Sequence, residues 1–300
     1  MNIHGDTPIY SFFFQTPQLV ILKRNSYKIA IPNTEYKNEI LSLLEQKELR
    51  ELFDMQNTTI LKKSATTKAI IFQLPSGRKI FLKQNRNKGL LFTLKNLCRP
   101  SRVFRAAAAA TLISKAGIPT PQVLLAGEER TGRKLQNGFL GTEIAGESDL
   151  MNFFLNDRNS PNTALNLQER MVRTAAKLHD AGIYHGDLKL INFYQADSSG
   201  TLGVWDLDSV RYFPNGVPCA GRIRELGRIV SSLLIFAEEN PFFPESYFNL
   251  ADRAKEACSQ YEKQLTSPLD FTEQDVVDMA IKRWLSSHKL KHHYAFKGTP

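Results

Sequence analysis

Tyr184-His185-Gly186-Asp187-Leu188-Lys189-Leu190-Ile191-Asn192-Phe193 is the stretch on which the reading of this chain turns. It follows directly on a helix signal: Leu167, Met171, Ala175 and Leu178 recur at helical spacing, and Gly182 supplies the stop. Downstream, Val204-Trp205-Asp206-Leu207-Asp208 reads as an apolar strand ending in Asp206, fourteen positions after Asn192. Moving a phosphoryl group from a nucleotide to a hydroxyl needs little covalent chemistry from the protein, because positioning and charge neutralisation supply most of the catalysis. It needs a carboxylate to orient the acceptor hydroxyl, a cation on the migrating group, and two oxygen ligands for magnesium. Asp187, Lys189, Asn192 and Asp206 provide that set in the order and spacing of a kinase catalytic loop and its metal-binding strand. The tripeptide alone carries nothing, since His4-Gly5-Asp6 repeats it without the lysine and asparagine. Asp208 would share a face with Asp206 if the strand ran on, and pairing with Arg211 is its other use.

The chain around this stretch is ordinary in size and composition. Its 300 residues, 42% hydrophobic and 23% charged, allow one large domain or two modest ones and exclude wholesale disorder. Cys98, Cys219 and Cys258 are odd in number and far apart, which rules out a disulfide framework and paired-cysteine zinc spacing. With neither a signal-peptide pattern nor a long apolar run, the expectation is a soluble cytoplasmic protein. The net charge of +9 is unevenly placed. Between Asp54 and Glu128 there is no acidic residue, while Lys62 to Lys115 holds thirteen lysines and arginines. Such a one-signed field favours nucleotide phosphates, nucleic acid or an anionic membrane, with a solvated basic face as the plain alternative.

Residues 18–32 read as two short strands about Arg24-Asn25-Ser26, and one helix is expected from Pro32-Asn33-Thr34 to about Phe53. Strands follow at Thr58–Leu61, Ala69–Leu74 and Arg78–Lys83, then a helix Ser101–Lys115 stopped by Gly117 and Pro119. Val123–Ala126 and Phe139–Ile144 read as a strand pair across a polar hairpin. Two short strands flank Asp197–Gly200, and helices are expected near 221–238, 247–264 and 273–287. A β-rich front thus meets a helical back, an α+β arrangement of two lobes. The expected division is one domain over 1–300: an extension 1–57, an N-lobe 58–145 and a C-lobe 146–300.

Residues from about 58 to 235 resemble the lipopolysaccharide kinase family, the Kdo and core-heptose kinases with a protein-kinase-like fold, in its toluene-tolerance-like branch. The likeness is carried by Ser101-Arg102-Val103-Phe104-Arg105-Ala106-Ala107, Ala116-Gly117-Ile118-Pro119-Thr120-Pro121 and Thr142-Glu143-Ile144-Ala145-Gly146. It continues through Leu178–Gly182, the loop to Tyr194, Trp205–Asp208 and Arg222–Arg228. The resemblance implies ATP and Mg2+ as cofactors and a sugar hydroxyl of a lipid A–core glycolipid as acceptor, at the cytoplasmic face of an anionic membrane. It implies that Asp187 takes the acceptor proton, that Lys189 steadies the transferring group, and that Asn192 and Asp206 hold magnesium. It places the nucleotide-phosphate lysine at Lys83 and the adenine-binding backbone groups at Glu143 and Ile144.

Three departures from the protein-kinase pattern are visible. The loop Lys62–Lys68 has no glycine to close a backbone cradle on phosphates. The helix Ser101–Lys115 has no acidic residue to pair with the strand lysine. Only about a dozen residues separate Asp208 from Gly221, too short a platform for a peptide, which argues for a small-molecule or glycolipid acceptor. The competing readings are a kinase of protein or another small molecule, and a catalytically silent pseudokinase that docks on membrane. His179 is expected to pack or cap beside the loop, His288, His292 and His293 have no metal-ligand spacing, and nothing resembles a nucleic-acid-binding module.

Overall fold

The computed structural model describes residues 13–87, 89, 100–146, 161–198, 200–238, 249–265 and 269–295, with side chains to 287 in the last segment. Cys98, Arg99 and His4-Gly5-Asp6 lie outside them, as do the side chains of His288, His292 and His293. The chain divides into two compact units, one built from residues up to Lys115 with Thr120–Ala145, the other from Ala116–Pro119 and Gly146 onward.

The first unit is a seven-stranded antiparallel sheet in the order β1-β2-β6-β7-β5-β4-β3. Its strands are β1 Val20–Arg24, β2 Tyr27–Ile31, β3 Thr58–Lys63, β4 Thr67–Gln73, β5 Lys79–Arg86, β6 Val123–Thr131 and β7 Lys134–Glu143. The two strands of the extension pair through β2 onto β6, so they belong to this sheet. The expected polar hairpin Glu128–Asn137 is mostly strand, turning only at Gly132-Arg133. Of the thirteen clustered cations, Lys68 is buried, with its ammonium on the Asp54 carboxylate (2.7 Å) and the Phe53 carbonyl (2.8 Å).

Period-two alternation gives the sheet two different faces. Ile70, Phe72, Ile80 and Leu82 point to a core shared with Ile40, Leu44, Leu49, Leu52 and Phe53 from the extension. The single helix expected over 33–53 is in fact α1 Lys37–Gln46 followed by a 3-10 turn Glu51–Asp54. At 100° per residue, an unbroken helix would turn Leu49 about 180° away from Ile40. Extended backbone at Lys47 breaks the helix and returns Leu49, Leu52 and Phe53 to the same core. On the other face lies α2 Arg102–Lys115, whose run Ala106–Ala110 is wholly buried. Its Val103 sits so close to Gly138 that a Cβ there would meet it at 3.0 Å.

The second unit is helical: α3 Pro161–Asp180, α4 Cys219–Glu238, α5 Leu250–Glu262 and α6 Glu273–Ala295. Met171, Val172 and Ala175 of α3, Leu226, Ile229 and Val230 of α4, Tyr261 of α5 and Ala280 of α6 are fully buried. Between α3 and α4 run four short strands, β8 Ile183–Tyr184, β9 Phe193–Gln195, β10 Leu202–Val204 and β11 Arg211–Tyr212, paired as β8 with β11 and β9 with β10. No described helix is long and apolar enough to cross a membrane. The observed class is the expected one, a β-rich unit and a helical unit within an α+β chain.

The extension's core role has a measurable consequence. Leu52 is 1% exposed within the shared cluster, so Leu52→Ala is expected to cost about 2–5 kcal/mol through lost burial and the cavity left behind. Urea unfolding of the full chain checks it; a loss under about 1 kcal/mol means that the extension is an appendage to the sheet.

Candidate active site

The stretch Tyr184–Phe193 lies between α3 and β9 and is held in place by buried groups. α3 ends where the Gly182 N–H reaches the His179 carbonyl (2.9 Å), and β8 carries the chain to His185. Gly186 adopts φ +87°, and a Cβ there would stand 2.6 Å from the Ser209 carbonyl, so only glycine fits. Leu190–Asn192 forms a 3-10 turn that leads into β9.

Helix α4 supports this loop along one stripe. Glu225, Arg228 and Ser232 recur at i, i+3 and i+7 and touch it in succession. The Glu225 carboxylate, 1% exposed, accepts N–H bonds from Gly186 (2.6 Å) and His185 (3.3 Å). It also meets His179 Nε2 at 2.9 Å, while His179 Nδ1 lies 2.8 Å from the Tyr261 hydroxyl. Arg228 Nη1 donates to the Gly186 carbonyl (3.0 Å) and to Asp187 Oδ1. Ser232 Oγ accepts the Leu190 N–H at 3.1 Å.

Asp187 is the centre of a compact polar group. Its Oδ2 faces Lys189 Nζ at 3.2 Å, and Asn192 Nδ2 donates to its carbonyl (2.7 Å) and to Oδ2 (3.1 Å). Trp205 ties the following strand to this loop. Its N–H donates to the Asn192 carbonyl (3.1 Å), its indole Nε1 to the Ile191 carbonyl (2.7 Å), and its own carbonyl takes His185 Nε2–H at 3.0 Å. The ring stacks on Tyr194 with centroids 5.1 Å apart. Asp206 follows at once in the left-handed region (φ 57°, ψ 54°), a conformation that aspartate tolerates better than most residues. The strand does not run on, because Leu207–Ser209 is a 3-10 turn, so the condition under which Asp208 would share the face of Asp206 is not met.

The structure therefore brings Asp187, Lys189 and Asn192 together and puts Asp206 one residue beyond the tryptophan that pins them. Lys83, Glu143 and Ile144 lie in the sheet unit. Lys83 is half-buried on central strand β5, opposite Ala69 and Leu140 and two residues from Asn85, the partner of Gly138. It is thus on the α2 face. Ile71 and Phe81, half-buried cross-strand partners, extend that face into an apolar shelf beside it. A polar recess lined by Arg50, Lys68, Gln84, Arg86 and Asn137 belongs to the opposite face. Glu143 ends β7; burial, then Glu35, push its carboxyl up, and its N–H is committed to the Gln122 carbonyl (3.0 Å). Its own carbonyl accepts the Thr142 hydroxyl (2.9 Å). Ile144 is 45% exposed.

Glu225, Arg228, Ser232 and Trp205 escaped the sequence reading as functional residues. The available signal was a polar stripe at helical spacing in an otherwise apolar helix, Glu225 among Ile223, Leu226, Ile229 and Val230. His179 does pack beside the loop as expected, as a buried bridge from Glu225 to Tyr261.

No group of three His, Cys, Asp or Glu converges among the described residues. Asn192, whose amide nitrogen is turned inward to Asp187, and the exposed Asp206 carboxylate form a sparse set of hard oxygens. That set suits magnesium, which takes one or two protein oxygens and fills its shell with water and phosphate.

Residues 76–212 match the model of the lipopolysaccharide kinase (Kdo/WaaP) family. That span, a little under half of the chain, holds Lys83, the whole polar loop and Asp206, and is similar to this family of kinases. A solved structure described as WaaP in complex with acyl carrier protein is similar at 19% identity and a TM-score of 0.49, over 75% of this chain and 98% of that one. The search of curated proteins finds no match.

The buried loop makes one pH-dependent prediction. Asp187 N–H donates to His185 Nδ1 (3.4 Å) and Nε2–H donates to Trp205, which leaves the ring neutral. Burial, against the pull of Glu225, holds its pKa below the ordinary 6.5. As pH falls, the unfolded chain therefore takes the proton first, so His185's contribution to stability is present above about pH 6.5 and lost below it, with a slope of at most about 1.4 kcal/mol per unit. His185→Asn should flatten that limb in urea unfolding between pH 7.5 and 5.5. Parallel profiles for the two proteins mean that the ring titrates normally.

Proposed function

We propose that this chain is a kinase that transfers the γ-phosphoryl group of ATP, with magnesium, to a sugar hydroxyl of a lipopolysaccharide inner-core acceptor, a Kdo or heptose residue. The observation that carries the reading is the Asp187 group, in which one carboxylate is oriented by Arg228, Lys189 and Asn192. Asp187 receives the proton of the acceptor hydroxyl, and its three partners hold it in one rotamer for that purpose. Lys189, on the exposed side of Asp187, reaches the transferring group. Asn192 Oδ1 and the Asp206 carboxylate hold magnesium, which when bound neutralises phosphate charge. Lys83 takes nucleotide phosphates, the Ile71–Phe81 shelf receives the purine face, and the Glu143 carbonyl and Ile144 backbone its edge.

The basic sheet unit supports a peripheral location at the anionic inner face of the cytoplasmic membrane, where each surface lysine contributes about 1 kcal/mol. The short β11-to-α4 connection, Phe213–Pro218, supports a glycolipid over a peptide acceptor. A silent membrane-docking protein would have no use for the four assembled groups.

Two substitutions test the roles. Asp187→Asn is expected to lower turnover by about 10²–10⁴-fold while ATP affinity stays within about twofold, because asparagine keeps the shape but accepts no proton. Asp206→Ala is expected to abolish the magnesium-dependent part of ATP binding in calorimetry, with Asp208→Ala close to wild type. Transfer of labelled phosphate to a panel of lipid A–core acceptors identifies the substrate. Near-normal turnover in Asp187→Asn overturns the assignment, and equal losses in both aspartate variants overturn the metal site.

A further inference from the structure

The sheet face that packs on the extension changes character at one end. Along β4, Phe72 and Ile70 face the extension core, and the next side chain on that face is Lys68. Along β5, Ile80 and Leu82 are followed on the same face by Gln84 and Arg86, and on β7 Asn137 stands beside Phe139. The register sets these groups in two cross-strand rows, Lys63-Lys68-Gln84 and Arg86-Asn137-Glu129. Lys68, Gln84, Asn137 and Glu129 are buried, at 6–8% exposure. Lys68, Gln84, Arg86 and Asn137, with Arg50 and Asp54 of the extension, line a recess of about 320 Å3 inside the sheet unit.

Stability alone does not call for this band. Apolar side chains here would extend the core, whereas an ammonium, two amides and a carboxylate have to be desolvated. They are held in one arrangement. Gln84 Nε2 donates to Asn137 Oδ1 (3.1 Å), Asn137 Nδ2 donates to Glu129 Oε2 (2.7 Å), and Arg50 reaches both Glu129 oxygens (2.9 and 2.8 Å). Lys68 is fixed from the extension side by Asp54 and the Phe53 carbonyl. Lys63, directly across from Lys68, and Arg86 are exposed and form no ion pair among the described residues. The face is the one opposite Lys83, so phosphoryl transfer as proposed above makes no use of it. Fixed polar groups around an open recess are the lining of a small-molecule site, and its volume is at the lower end of the range of about 300–1,000 Å3 for such sites.

We infer that this recess binds a small organic anion, a phosphate monoester or carboxylate on a hydroxylated body, at a site separate from those of nucleotide and acceptor. The anionic group meets Arg86 and Lys68, with Lys63 adding attraction from the edge strand. The Gln84 and Asn137 amides and the Asp54 carboxylate suit hydroxyls. A bare ion is too small for the recess, since a water-sized group takes only about 30 Å3. The walls come from the extension around its 3-10 turn and from β4, β5 and β7, so an occupant ties the two together and stabilises the folded chain.

Binding of glucose 6-phosphate, gluconate and glucose to the full chain is measured by calorimetry, with and without saturating ATP and magnesium, for the wild type, Arg86→Gln, Lys63→Gln and Lys79→Gln. Arg86 and Lys63 are exposed, so neither change threatens the fold. Lys79, at the other end of β5 and outside the recess, is the charge control. The wild type is expected to bind at least one anionic probe about tenfold or more tighter than glucose, with ATP present as in its absence. Arg86→Gln weakens that binding about tenfold, Lys63→Gln about two- to threefold, and Lys79→Gln less than about twofold. The two anionic probes separate phosphate from carboxylate recognition. The preferred probe also raises the urea midpoint of the wild type, and raises that of Arg86→Gln much less. Equal binding of all three probes, or no binding at up to about 10 mM, overturns the site. Equal losses in Arg86→Gln and Lys79→Gln overturn it too. Anion binding that ATP abolishes and Arg86→Gln leaves intact belongs to the nucleotide site and also overturns the recess.

Discussion

A single buried carboxylate organises the polar loop. Glu225 sits beneath His185 and Gly186 and takes both of their N–H groups, so the backbone just before Asp187 is anchored to α4 rather than to solvent. Without it, two buried donors and one imidazole would lose their acceptor, at about 1–3 kcal/mol each. One turn further along α4, Arg228 holds the next carbonyl and the Asp187 side chain. The loop's conformation is thus imposed by a helix that follows it by some 40 residues, with Trp205 fixing the other side. A carboxylate that must meet a hydroxyl in one orientation benefits from such support, because small errors in position cost large factors in rate.

The polar group around Asp187 was legible in the sequence because its members are close together and their chemistry is unusual in combination. Asp187, Lys189 and Asn192 span six residues, a distance over which one loop conformation decides everything. Glu225 and Arg228 were not legible in the same way. Each is an ordinary surface-type residue in a helix pattern, and only tertiary packing reveals that Glu225 is buried and that Arg228 reaches Asp187. Sheet strands were legible from alternation, whereas the break at Lys47 was not. Nothing in its local propensity stops a helix there; the core's demand for Leu49, Leu52 and Phe53 does.

That same demand changes the status of the extension. Its strands close one edge of the sheet, and its helix and 3-10 turn cover a face that would otherwise expose Ile70, Phe72, Ile80 and Leu82 to water. Lys83, Ile71 and Phe81 lie on the opposite face of the same strands. Covering one face fixes the pleat and the register, since a slip by one residue would exchange the two sets of side chains. The core on the extension side and the side chains presented on the α2 side are therefore coupled through β5.

The departures from the protein-kinase pattern then acquire a physical sense. The helix on the face of Lys83 brings alanines instead of a glutamate, so α2 has no acid to pair with that lysine. The loop between β3 and β4 is only Ser64-Ala65-Thr66, without a glycine, while the lysines expected in it, Lys62, Lys63 and Lys68, belong to the flanking strands, Lys68 with its ammonium on Asp54. The connection after β11, Phe213–Pro218, is short, and under the proposed reading that brevity is a reason to prefer a glycolipid over a peptide. A peptide is recognised along its length, but a sugar offers only a few groups within about 5 Å of the reacting hydroxyl. Under the proposed reading, a sugar must then be met by groups fixed next to Asp187, and a loop tied to α4 through Glu225, Arg228 and Ser232 is a rigid place to hold them.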